Sequence, residues 1–162
     1  PLGIGPILKD RSATNYGLIA CLSYLDDKGF GPSLVHRNGV TRARMFQEMG
    51  VAAQCNVSDD ASLAAALDIL DTTLGTDLGN MKGDYVCGQY TLADACWAGV
   101  CQVAMNSGKG SAVSSRSKVN TWFAAVQSHP STSKEAINPF SCMATKADHD
   151  AGSMREIRIN TA

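Results

Sequence analysis

The chain has 162 residues, 44% of them apolar but only 6% aromatic, and carries a formal net charge of −1. That length suits one compact domain with at most a small appendage, and the near balance of charge excludes a dedicated nucleic-acid binder, which carries a basic face. No apolar run approaches the ~20 residues that cross a bilayer, and no secretory leader pattern opens the sequence, so a cytoplasmic protein without membrane contact is expected.

Taken in chain order, Gly5-Pro6-Ile7-Leu8 reads as a brief strand and Lys9 to Ser12 as a turn. Thr14 to Leu25 reads as a helix with Thr14 as N-cap and Leu18, Leu22 and Leu25 along one side. Asp26 to Gly39, with three glycines and a proline, is a connector. Thr41 opens a helix towards Gln54, and Ser58 or Asp59 opens the next. In that second helix Leu63, Leu67, Leu70 and Leu74 recur at steps of four, three and four, the stripe of a helix facing a core. Gly75 to Gly88 is a loop. A third helix from Thr91 to about Met105 points Leu92, Ala95, Cys96, Val100 and Val103 inward and leaves Trp97 off that stripe. Ser107 to Ser117 is a glycine- and serine-rich connection, followed by a helix bearing Val119, Trp122, Phe123 and Val126 that ends before Pro130. A short helix stopping near Pro139 and a weakly patterned tail close the chain.

Six cysteines, at 21, 55, 87, 96, 101 and 142, form no Cys-x-x-Cys pair, and none of the three histidines stands at zinc-finger spacing from them. Cys21, Cys96 and Cys101 lie among aliphatic residues at helical spacing, where a thiol is a small buried hydrophobe. Reduced thiols and no metal site are expected. His36, Arg37, Arg42 and Arg44 are a short basic cluster, and such clusters are usually a solvated face. Gly108-Lys109-Gly110 lacks the Walker spacing and the hydroxyl residue after the lysine, so it is not a phosphate loop.

The most informative stretch is Tyr85-Val86-Cys87-Gly88-Gln89-Tyr90-Thr91-Leu92-Ala93-Asp94. Thr91 and Asp94 have the spacing of a capping box, in which the threonine hydroxyl and the aspartate carboxylate each serve the other's backbone N–H. The negative charge suits the positive end of the helix.

A leucine-striped helix, then Tyr-Val-x-Gly, then Thr-Leu-Ala-Asp opening an apolar helix, closely resembles the C-terminal domain of glutathione transferases. The stretch from Val119 through Trp122-Phe123 to His129-Pro130 is similar to that family's next helix, and Gly5-Pro6-Ile7-Leu8 to the strand entry of its thioredoxin-like half, where the proline is cis. The resemblance covers roughly residues 5–137. It implies a mainly α fold: a glutathione-transferase C-terminal-type helical bundle (31–140), a remnant of the thioredoxin-like half (1–30) and a tail (141–162).

Catalytic members of that family carry a Glu-Ser or Asp-Ser pair at the start of the last thioredoxin-half helix, which holds the γ-glutamyl end of glutathione. Aligned by Tyr24-Leu25, this chain has Gly17 and Leu18 there, and the thiol-activating residue would lie upstream of Pro1. No catalytic residue and no cofactor follow. A Gly-Leu pair resembles instead the scaffold domains of the multi-synthetase complex, the appended domains of aminoacyl-tRNA synthetases and the subunits of elongation factor one. What this implies is a non-catalytic protein-interaction module that assembles translation components. It would pair with other glutathione-transferase-like domains or with itself, and touch tRNA only weakly or through a partner. Asn120, Thr121, Trp122 and Leu18 are the candidate interface residues. Those relatives carry arginine before the tryptophan where this chain has Thr121. The alternative is a divergent glutathione transferase whose active half lies outside this chain.

Overall fold

Ile7–Asp10 (β1) and Ala13–Tyr16 (β2) pair antiparallel, Ile7 opposite Tyr16 and Asp10 opposite Ala13, in a computed structural model that describes residues 6–10, 13–28, 33–76 and 83–129. The hairpin corrects the sequence reading of this segment as the start of a helix capped by Thr14. Thr14 and Tyr16 are good strand formers, and Gly17 then adopts φ +84°, a left-handed conformation that breaks strand from helix. The helix α1 begins only at Leu18 and runs to Lys28. Its Tyr24 hydroxyl donates to Asp10 Oδ2 at 2.8 Å, tying the helix to β1. The Cys21 thiol is buried and faces the carbonyls of Pro6 and Asn15, both at 3.5 Å. The Gly5–Pro6 bond, expected to be cis, lies outside the described residues, as do the short helix near Pro139 and the tail.

A second compact unit spans 33–129 and is helical. Its elements are α2 (Gly39–Gln54), α3 (Asp60–Leu74), α4 (Leu92–Asn106), α5 (Gly110–Ser114) and α6 (Ser117–Ser128). Asn38, not Thr41, caps α2: its side-chain oxygen accepts from the N–H groups of Val40 and Thr41 at 2.9 and 3.2 Å, and Thr41 is buried inside the first turn. Asp59 caps α3 in the same way through Ala61 and Ser62. The 107–117 connection holds the short helix α5, which buries Val113.

The core sits around α4, packed against α2 on one side and α5 and α6 on another. Leu63, Leu67 and Leu70 of α3, Met45 and Met49 of α2, and Val119, Phe123 and Val126 of α6 are all buried. Removing such a side chain from water stabilises by about 1.5–3 kcal/mol each. One inward assignment on α4 is corrected: Val103 is 50% exposed. Trp97, which lies off the stripe and whose place the sequence leaves open between core and surface, is fully buried. The cause is burial on more than one face: Ala93, Trp97, Val100 and Ala104 are enclosed as well as Leu92 and Cys96. The inward arc is therefore wider than a single stripe.

Candidate functional site

Thr91 and Asp94 form the capping box at the start of α4. Both are fully buried. Asp94 Oδ2 accepts the Thr91 backbone N–H at 2.9 Å and the Thr91 hydroxyl at 3.1 Å. Its other oxygen reaches further: Oδ1 accepts the Val86 N–H and the Trp122 indole N–H, both at 2.9 Å. The box thereby joins the 83–90 segment, the head of α4 and the middle of α6 through one carboxylate. Burial pushes the Asp94 pKa above the usual carboxylate range, opposed by hydrogen bonds from Trp122, Val86 and Thr91, which favour the ionised form. The same enclosure raises Cys87 to about 11, chiefly by burial and next by the Asp94 charge, and Tyr90 to about 12 for the same two reasons. Cys96 and Cys101 are pushed up by burial to about 12. These thiols are protonated and unreactive at neutral pH.

A second polar cluster lies between α2, α3 and α4. Glu48 is buried and pairs with Arg44 one turn earlier at 2.9 Å. Glu48 Oε2 accepts the Trp97 indole N–H at 3.3 Å and Oε1 the Thr73 hydroxyl at 3.4 Å, while Arg44 Nη2 donates to Thr73 Oγ1 at 3.1 Å. The sequence reading missed this cluster. Its signal was the i,i+4 spacing of Arg44 and Glu48 with Met45 and Met49 beside them. Arg44 is thus engaged inside the fold, leaving half-buried His36 and exposed Arg37 and Arg42 as the remainder of the basic cluster.

The candidate interface residues differ in exposure. Asn120 and Thr121 are exposed on α6, Trp122 is 2% exposed with its indole bound to Asp94, and Leu18 is half-buried at the start of α1. Lys109 is a structural clamp: its ammonium donates to the carbonyls of Val57 and Ser58 at 2.9 and 2.8 Å and pairs with Asp60 at 2.6 Å. Arg116 joins α3 to α6 in the same manner through Asp68 and the Ala64 carbonyl. At the end of α6 the His129 ring stacks on Tyr90, centroids 4.1 Å apart, and Tyr85 meets both rings edge-on. Among the described residues no group of His, Cys, Asp and Glu is arranged to hold a metal ion. No helix among them is long and apolar enough to cross a membrane.

No family model matches the chain, and no curated protein matches it. Among solved structures it is similar to glutathione transferase F7 from Populus trichocarpa, with a TM-score of 0.65 and 22% identity over 85% of this chain and 77% of that one. The likeness defines the class of fold: a mainly helical glutathione-transferase-like architecture with a small thioredoxin-like remnant, β1-β2-α1.

Proposed function

We propose that this chain is a non-catalytic assembly module that pairs with a second copy or with another glutathione-transferase-like domain, of the kind carried by synthetases and elongation-factor subunits. The observation that carries this reading is the start of α1. Gly17 has no side chain and Leu18 offers only hydrocarbon, where a transferase would present a carboxylate and a hydroxyl to glutathione. Holding a zwitterionic tripeptide there would leave its charged end without a matching group, which costs affinity steeply. The enclosed, protonated thiols of Cys87, Cys96 and Cys101 offer no substitute nucleophile. The exposed side of α6 at Asn120 and Thr121 supplies a polar contact surface with one exposed charge of that helix, Lys118, beside it. Association through it depends little on salt, because few charges would be screened.

Asn120→Glu places a charge on that surface. It is expected to weaken association at least tenfold in sedimentation, about 1.4 kcal/mol or more, with an unchanged melting curve. A strict monomer at high concentration, with no synthetase or elongation-factor subunit recovered from extract, overturns the reading. A divergent glutathione transferase is the second reading, favoured by the fold likeness to the poplar enzyme. Retention of the full-length protein on glutathione resin, with conjugation of a standard electrophile blocked by a glutathione analogue, would establish it instead.

A further inference from the structure

A pocket of about 310 Å³ opens beside the N-terminal end of α6, between the last turn of α3 and the Gly83-Asp84 segment. Leu74 and Trp122 supply its apolar lining, Ser117 and Thr121 its hydroxyls, and Lys118 and Asp84 its charges. Among the described residues neither charge has an ion-pair or hydrogen-bond partner, and the two do not pair with each other. The lysine is accommodated by the fold: it lies across Gly75 at the end of α3, in space that a Cβ there would fill. Both charges are exposed and open to a ligand, and the same lining carries apolar groups and two hydroxyls. The size stands at the small end of ligand pockets, roughly 300–1,000 Å³. One cation and one anion match neither a polyphosphate nor a polycation.

We propose that this pocket binds a small zwitterion, a free amino acid or short peptide with both ends unblocked and an apolar side chain. Its carboxylate pairs with Lys118, its ammonium with Asp84, and its side chain lies against Leu74 and Trp122. The hydroxyls of Ser117 and Thr121 complete the polar contacts. The site borders the proposed contact surface at Thr121, but it needs only residues of one chain, so its binding is measured separately from assembly.

The test is a ¹H–¹⁵N NMR titration of the full chain, following the Trp122 indole and the backbone signals of 117–121. The probes are free leucine, leucylglycine, N-acetyl-leucine, which keeps only the carboxylate, and leucinamide, which keeps only the ammonium. Leucine or leucylglycine is expected to give saturable shifts with a half-point below about 10 mM, and the tighter of the two reports the spacing the charges prefer. Both blocked probes should bind at least tenfold more weakly, and Lys118→Met and Asp84→Asn should each weaken leucine binding to the same extent. Both substitutions are at exposed positions, and the remaining signals report an intact fold. No saturable shift, weakening by only one of the blocked probes, or unchanged binding by either variant overturns the proposal. None of these outcomes alters the sedimentation behaviour on which the assembly reading stands.

Discussion

Asp94 and Glu48 are both buried carboxylates that receive an indole N–H, yet the fold holds them by opposite means. Asp94 has only neutral donors, four of them between 2.9 and 3.1 Å, two on each oxygen. Glu48 has a cation, Arg44 at 2.9 Å, and two longer neutral bonds at 3.3 and 3.4 Å. The first arrangement costs little to assemble, since two of its donors are supplied by Thr91, three residues away, and the helix dipole favours the charge. The second joins three helices and leaves Arg44 24% exposed. Short, numerous neutral bonds can therefore do for a charge at a helix start what a counter-ion must do for one in mid-helix, where no free backbone N–H remains.

The comparison is broken most severely at Asp94. Asp94→Ala leaves the Val86 N–H, the Thr91 N–H and the Trp122 indole without their acceptor. At about 1–3 kcal/mol per buried orphan, the loss is about 3–9 kcal/mol, a large part of the ~5–15 kcal/mol that holds a domain of this size together. Urea unfolding measures it, and a loss under about 1 kcal/mol would show that the carboxylate ties nothing beyond its own helix. Arg44→Met comes second. Removing one partner of a fully buried pair costs about 3–5 kcal/mol, but water can reach the Arg44 end of this one, so about 2–4 kcal/mol is expected. Glu48→Gln should cost less than Arg44→Met, because the guanidinium it strands is partly solvated. The reverse order would place the uncompensated charge on the arginine.

How much of this was legible in the sequence follows the range of the interactions. The capping box is local, so Thr91 and Asp94 at three residues' spacing announced it, and the leucine stripe of α3 announced a buried face. The reach of Asp94 to Trp122, 28 residues on, is a tertiary fact with no periodic trace. Val103 was misassigned and Trp97 left open because a helix enclosed on several sides has no single stripe. The β2 strand was misassigned because four residues alternate too briefly to outweigh the leucines that follow, and Gly17, the breaker, was counted inside a helix. The pocket between Asp84 and Lys118 joins positions 34 apart and left no pattern at all.

The smallest expected effect separates the two indoles. Trp122→Phe and Trp97→Phe each remove the same atoms from a fully enclosed site, so their transfer and cavity costs are similar. What differs is the bond each indole donates, 2.9 Å to Asp94 against 3.3 Å to Glu48. Hydrogen bonds to charged groups weaken as they lengthen, and Asp94 has no cation to take over the lost donor, whereas Glu48 keeps Arg44. Trp122→Phe is therefore expected to destabilise by about 1 kcal/mol more than Trp97→Phe. Since each variant keeps the other tryptophan as its only one, fluorescence in a urea series reads both on the same scale. Equal losses would mean that Arg44 does not compensate Glu48, and the contrast between the two carboxylates would then reduce to packing.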